Sequence, residues 1–303
     1  MQQREHLTRA MWTLFEPIHA VSYFAPEARQ AFAEIGLTRY WDGYFAGRAA
    51  PFGAVTSAPV VAVFAGFSPA LASRALPAAW STASVDQVLK ARLKGAANTV
   101  RRVFPDADVI SQAAAALAEA ADRVDTLGRP LAAANAALSR PEDPYEKLWQ
   151  AATILREHRG DGHVLAQVTE EIAGLSGVVL RCAIDLDSAT MQRARGWTED
   201  EWNAEFDALV FRGLVSAENT LTADGWDTMN RAEKLTDRLA LAPWQGLPDK
   251  QLRDIAVILE PIAAACLSVL PDAGPAGKPV LWNPTIDPDA SAVPTSPPAD
   301  LRS

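Results

Sequence analysis

The chain has 303 residues, of which 49% are hydrophobic, so it is long enough to bury the core of one large domain or two ordinary ones. A formal net charge of −9 argues against a polyanion as the main partner, because nucleic-acid-binding modules usually show a basic patch or stripe. The cysteine content, Cys182 and Cys266 only, excludes a disulfide framework and predicts buried thiols in a cytoplasmic protein.

Apolar residues recur at helical spacing through most of the chain, which predicts a mostly α fold. The first stripe predicts a helix over residues 4–23, Pro26 begins a second helix, and Thr38 caps a third, aromatic one. Ser84 begins a further helix through a capping box. The longest apolar runs are too short or too interrupted to span a bilayer, so we predict no membrane partner.

The best domain boundary is the sequence SRPEDP at residues 139–144, where Asp143 and Pro144 suit the start of a new helix. We therefore predict a helical N-terminal domain at 1–140 and a second domain at 141–271. Residues 272–303 are rich in Pro, Ala, Asp and Ser and hold few large apolar side chains. Such a segment does not offset the entropy cost of ordering, so we predict a disordered tail.

The densest polar cluster is the sequence EHRGDGH at residues 157–163. Its two glycines predict that one helix ends here and that another begins near His163, where free N–H groups would attract an anion. A histidine with a near-neutral pKa could also act as an acid or base. The alternative is a glycine turn whose charges pair locally. The candidate ligand-binding residues of this cluster are His158, Arg159, Asp161 and His163.

Two features of the N-terminal region point to a binding site. Glu16 and His19 have the E-x-x-H spacing of carboxylate-bridged metal sites, but a second such motif is absent. We predict no metal and no cofactor, and expect these side chains to bond each other or an arginine. Arg48 lies in apolar surroundings and needs a partner, either Glu16, a carbonyl group or an acidic ligand. Such a ligand pocket would include Tyr23 and Tyr44, whose alternative role is core packing.

The segment from residue 195 to 227 has the pattern of a winged helix-turn-helix. Thr198 and Glu201 form a capping box, Gly213 closes the helix, and two short apolar runs predict a two-stranded wing. The helix that would read DNA is acidic, so we do not predict nucleic acid as a partner. Its acidic residues are Glu199, Asp200, Glu201, Glu205 and Asp207.

Two family resemblances follow from these motifs. The runs RGL, LTADGW and TDRLALAPW resemble the wing and following helix of MarR-type regulators. The runs MWTLFEPIHAVSYFAPEA, GYFAGRAAPFG, FSPALASRALPAAW, LREHRGDGH and RGWTEDEW, over about residues 8–270, resemble an actinobacterial family of helix-turn-helix proteins. The resemblance implies a helical N-terminal domain plus a degenerate MarR-like winged helix-turn-helix with a short two-stranded wing, in the cytoplasm. It implies no reaction and no ligand.

Three functions fit these observations. The favoured one is a protein that binds a small, anionic molecule on a winged-helix scaffold that does not read DNA. The second is a ligand-responsive MarR-like regulator, a homodimer through its terminal helices that contacts DNA with Arg193, Arg195 and Arg212. The third is an enzyme of specialised metabolism or self-resistance that uses histidines and Glu16 as acid and base, although the chain shows no recognisable catalytic motif.

Overall fold

Helices make up nearly all of the regular structure, which confirms the mostly α prediction. The structure is a computed structural model that describes residues 2–271, 279–287 and 289–290. Across these ranges no helix has both the length and the hydropathy that a bilayer crossing requires. The α-helices are α1 (Gln2–Phe24), α2 (Pro26–Glu34), α3 (Tyr40–Ala49), α4 (Ser57–Phe64), α5 (Pro69–Ala75), α6 (Ala79–Thr82), α7 (Val85–Val103), α8 (Ala107–Ala121), α9 (Pro130–Ala136), α10 (Pro144–Thr169), α11 (Leu175–Cys182), α12 (Ser188–Arg195), α13 (Glu199–Phe211), α14 (Ala223–Leu239) and α15 (Asp249–Leu267).

Local capping signals set the starts of three long helices. Ser84 and Thr198 take part in complete capping boxes at α7 and α13, as predicted. Asp143 caps α10 by accepting hydrogen bonds from backbone N–H groups of its first turn. Thr38 is not a cap, because α3 begins at Tyr40 and its N-cap residue makes no side-chain hydrogen bond.

Helix α10 runs without interruption through EHRGDGH, so the predicted turn and the second helix starting near His163 are wrong. Gly162 serves packing: a Cβ there would lie 2.7 Å from a guanidinium nitrogen of Arg129 and 3.3 Å from the Cβ of Leu239. Arg129 crosses this face of α10 and donates hydrogen bonds to the carbonyls of His158 and Leu239. The N–H groups near His163 lie inside a helix, where they do not form an anion site.

Buried apolar side chains form three clusters among the described residues. The largest joins α1, α7, α8, α10 and α15, the second lies mainly among α2 to α7, and the third joins α11 to α14. Helix α10 follows the predicted boundary at residue 140, yet it packs with α1, α7 and α8 in the largest cluster. The predicted limits of 1–140 and 141–271 do not follow these clusters, and they stay a prediction.

The third cluster holds together a compact unit of α11 to α14, called the HTH unit below. Helix α12 ends at Arg195 and is followed by Gly196, whose φ of 74° lies in the left-handed region, and α13 begins at Glu199. Two helices joined by a short turn that contains glycine have the connectivity of a helix-turn-helix. After α13, one antiparallel bridge joins Val215 to Leu221, and in the described chain the predicted two-stranded wing is reduced to that bridge.

Part of the segment that we predicted to be disordered lies against the core. Trp282 is 1% exposed, its backbone N–H donates to the Thr13 hydroxyl at 3.0 Å, and its indole N–H donates to the Asp287 carbonyl at 2.7 Å. Residues 279–287 and 289–290 therefore differ from the prediction, because one large aromatic side chain ties them to α1. The other residues of the predicted tail, 272–278, 288 and 291–303, lie outside the described residues.

Candidate functional site

The HTH unit meets the N-terminal helices around a cavity of about 320 Å³, called the junction cavity below. Helix α12 contributes Met191 and Arg195 to its wall, and α14 contributes Met229 and Glu233. Helices α1, α3, α10 and α11 and the chain around Phe67 form the other sides. The cavity is therefore built from both parts of the molecule, and its walls mix aromatic, aliphatic and charged side chains, as ligand pockets do.

A second cavity of about 280 Å³ adjoins the first and is called the α2–α3 cavity below. It lies among α1, α2, α3, α7 and α10. The side chains that line both cavities are Tyr23, Tyr40, Tyr44 and Arg48. The wall between the two cavities thus contains three of the predicted site residues, Tyr23, Tyr44 and Arg48.

Arg48 pairs with Glu157, which is not among the partners expected for it from the sequence. Its Nε and Nη2 atoms donate to the two carboxylate oxygens of Glu157 at 2.9 and 3.0 Å, and its guanidinium carbon lies 4.1 Å from the centre of the Phe64 ring. Burial raises the pKa of Glu157, but the charges of Arg48 and Arg156 outweigh burial and hold that pKa far below its usual range. The Arg48 charge is therefore balanced by Glu157 and not by Glu16.

Glu16 lies on the junction cavity and pairs with a different arginine. Its carboxylate lies 3.4 Å from Arg156 Nε and accepts a hydrogen bond from the Trp12 indole at 2.9 Å. Arg156 also donates to Glu157 at 2.9 Å, so it bridges the two carboxylates. The expectation that Glu16 bonds an arginine is met by this contact.

His19 lines the α2–α3 cavity and not the junction cavity, so it does not converge with Glu16 on one site. Its Nδ1 lies 3.0 Å from the Thr153 hydroxyl, and its Nε2 lies 2.7 Å from the Tyr23 hydroxyl. Burial and the charge of Arg156 lower the pKa of His19 well below its ordinary value. His19 is therefore neutral at physiological pH and forms part of a hydrogen-bonded chain with Tyr23.

The EHRGDGH residues point in different directions because they wind around one continuous helix. His163 lines the junction cavity and lies 3.0 Å from the Thr236 hydroxyl. His158 faces Asp125 instead, and burial lowers its pKa to about 4 despite that hydrogen bond. Of these two histidines, only His163 belongs to a cavity wall.

Arg159 and Asp161 do not line either cavity. Arg159 lies 3.5 Å from carboxylate oxygens of Glu233 and Asp237 and over the Trp12 ring. Asp161 accepts a hydrogen bond at 2.9 Å from the backbone N–H of Ala132, in the first turn of α9. Burial raises the pKa of Asp161 to about 7. His158, Arg159 and Asp161 thus line neither cavity, although Arg159 and His163 both approach the carboxylate of Glu233, at 3.5 and 3.7 Å.

Arg195 lines the junction cavity and is not among the ligand-binding residues predicted from the sequence. It was assigned to DNA contact in the regulator hypothesis, but its guanidinium carbon lies 4.3 Å from the centre of the Phe67 ring, in the wall of the junction cavity. Burial lowers its pKa. An arginine at the end of a short helix can face outward or inward, and this choice depends on packing that local sequence does not encode.

The turn of the HTH unit is fixed to the N-terminal region beside this cavity. The Trp197 indole donates to the Gly66 carbonyl at 2.9 Å, and the Ser68 N–H donates to the Arg195 carbonyl at 2.9 Å. A Cβ on Gly196 would lie 2.7 Å from Leu71, so only glycine fits this close approach. The wall of the junction cavity and the helix-turn-helix turn are therefore one contiguous structure.

Helix α13 presents its acidic side to solvent. Trp202 and Leu209 are its buried residues, and its apolar face packs within the HTH unit. Carboxylates on a solvent-facing helix oppose the phosphate contacts that dominate DNA affinity. The exposed charged residues of α13 are Glu199, Asp200, Glu201 and Asp207.

Comparison with curated proteins gives no match, and comparison with solved structures gives none either. A family described as a helix-turn-helix family matches residues 8–271. This range includes every helix of the HTH unit and every residue that lines the two cavities, apart from Pro279 of the junction cavity. The chain therefore belongs to this helix-turn-helix family.

Proposed function

We propose that the protein binds a small molecule in the junction cavity and that its HTH unit, a winged helix-turn-helix related to the MarR type, serves as scaffold. The observation that carries this proposal is the position of the cavity, between the HTH unit and the N-terminal helices. A ligand there would contact both parts of the molecule at once. The buried free thiols Cys182 and Cys266 suit the reducing cytoplasm, where we place the protein.

The charges of the cavity wall favour a ligand with an acidic group. Arginines outnumber glutamates in this wall, and the apolar surface around them suits an organic body. Guanidinium groups bind carboxylates and phosphates through paired, charge-assisted hydrogen bonds. The charged wall residues are Arg48, Arg156, Arg181, Arg195, Glu16 and Glu233.

Native mass spectrometry of protein purified from its host tests this proposal. Val164 lines the junction cavity from α10, and Val168, one turn later on the same helix, is exposed and does not line it. Val164→Trp fills the cavity, whereas Val168→Trp is a matched control. We expect the wild type and Val168→Trp to retain a bound molecule and Val164→Trp to lose it. A wild-type mass equal to that of the bare chain, or equal retention in all three proteins, would refute the proposal.

A ligand-responsive regulator is the second candidate, and membership of a helix-turn-helix family favours it. In this form the protein would be a homodimer that contacts DNA with exposed cations such as Arg193 and Arg212. A gel-shift experiment at low salt, with DNA from upstream of its own gene, tests this candidate. Retardation that Arg212→Gln abolishes would support it, and no retardation at low salt would exclude it.

A further inference from the structure

Arg92 is a buried cation whose bonded partners are neutral. It lies on α7 and lines the α2–α3 cavity with 6% exposure. Its guanidinium donates to the Gly47 carbonyl at 3.1 Å and to the Asn135 side-chain oxygen at 2.9 Å. Its guanidinium carbon also lies 5.4 Å from the centre of the Trp149 ring. These contacts satisfy hydrogen-bond donors but supply no negative charge.

This arrangement differs from that of the other buried arginines in the described chain. Each of those has a carboxylate within salt-bridge distance. They are Arg9, Arg48, Arg129 and Arg159. A buried charge is costly unless an opposite charge compensates it. Burial accordingly lowers the pKa of Arg92 to about 10.

The rest of the α2–α3 cavity adds positive charge and little negative charge. Glu157 is the acidic residue among its lining side chains, and Arg48 and Arg156 already bind that carboxylate. Two exposed arginines, Arg29 and Arg39, also line the cavity, and Arg39 is paired with Asp42 outside it. Most of the charged side chains that line the cavity are therefore cationic, which favours an anionic ligand.

We propose that the α2–α3 cavity binds a small organic oxyanion, a carboxylate or a phosphate ester, whose charged group pairs with Arg92. Rings of Tyr40, Tyr44 and Trp149 line the cavity, and its volume of about 280 Å³ suits a body with a single ring. The site is distinct from the junction cavity, and its occupation does not depend on a ligand there.

Calorimetric titration with three matched probes tests this site. Benzoate and phenyl phosphate carry the two oxyanions on one ring, and benzamide is the neutral counterpart of benzoate. We expect at least one anion to bind the full-length protein and benzamide to bind at least about tenfold more weakly. The anion that binds more tightly shows whether the site recognises a carboxylate or a phosphate. If neither anion binds, or if benzamide binds as tightly as benzoate, the proposal is wrong.

Variants of α7 locate the bound anion. Arg92→Gln removes the buried charge, and Lys90→Gln removes an exposed charge on the same helix that does not line the cavity. We expect Arg92→Gln to weaken binding about tenfold or more and Lys90→Gln to leave it unchanged. Equal affinities of these two variants, once circular dichroism shows both folded, would overturn the assignment.

Two further variants keep the test decisive. Arg29→Gln changes an exposed residue at the cavity and should fold even if Arg92→Gln does not; it should weaken anion binding about threefold at low salt. Unchanged affinity in Arg29→Gln would count against the site.

Val164→Trp fills the junction cavity and should leave binding of these probes intact, which separates this site from the proposed function. Loss of probe binding in Val164→Trp would place the anion in the junction cavity instead.

Discussion

Glu157 accepts hydrogen bonds from the guanidinium groups of Arg48 and Arg156, and its side chain is 1% exposed. The sequence showed Glu157 within a polar cluster and Arg48 as an isolated cation in need of a partner. It did not show that they meet, because they stand 109 positions apart and the contact depends on how folding places α3 relative to α10. Pairings of this kind require the tertiary structure.

Glu157→Gln should destabilise the protein strongly. The substitution keeps the shape of the side chain but leaves Arg48 and Arg156 buried without their shared counter-charge, which costs about 3–5 kcal/mol. The free energy of unfolding from urea titration measures this effect. Glu142→Gln, at an exposed glutamate, is the control and should change stability little. A loss of less than about 1 kcal/mol in Glu157→Gln would show that the carboxylate does not balance these arginines.

Asp161 should make stability fall as pH rises. Its pKa is raised from 3.8 to about 7 in the folded protein, so between these values the folded state holds a proton that the unfolded state has lost. Relative to Asp161→Asn, the wild type should therefore lose stability from about pH 4 to about pH 7, by at most about 1.4 kcal/mol per pH unit. Urea titrations across this range measure the difference. Asp207→Asn, at an exposed position, is the control, and a flat difference for Asp161→Asn would disprove the shift.

At the scale of elements, three helix starts could be predicted from local capping signals. The capping boxes at Ser84 and Thr198 and the cap at Asp143 act over three residues, so the sequence contains all that is needed to find them. The glycines of EHRGDGH were misinterpreted as a turn. Gly162 is instead in a helix interior because the Arg129 side chain, which is distant in sequence, occupies the space where a Cβ would lie. Helix α9 was not predicted at all.

The two glycines of α10 offer a direct test of its continuity. A Cβ on Gly160 would make only ordinary contacts, at 3.5 Å and beyond, so Gly160→Ala should stabilise the helix by about 0.5–1 kcal/mol. Gly162→Ala meets Arg129 at 2.7 Å and should destabilise the protein by about 1–3 kcal/mol. Urea unfolding of the pair measures both effects. A loss of stability in Gly160→Ala would favour the broken helix.

At the scale of the whole molecule, composition and periodicity predicted a helical protein with an acidic helix-turn-helix segment, and this description agrees with the fold. The cavities could not be predicted from the sequence, because each of them is lined by at least five helices that come together only on folding. Six of the nine predicted site residues line a cavity, and the three that do not, His158, Arg159 and Asp161, all come from the cluster that was wrongly predicted to be a turn. The predicted residues that line a cavity are Glu16, His19, Tyr23, Tyr44, Arg48 and His163.

A crystal structure of protein freshly purified from its host tests most directly whether the junction cavity holds a ligand. We expect continuous electron density for a small organic molecule between α10 and the HTH unit, in contact with Val164 and Met229. An acidic group of that molecule should lie near Arg195 or Arg156. A junction cavity that holds only water in such crystals, or density for a ligand at another place on the HTH unit, would contradict the account.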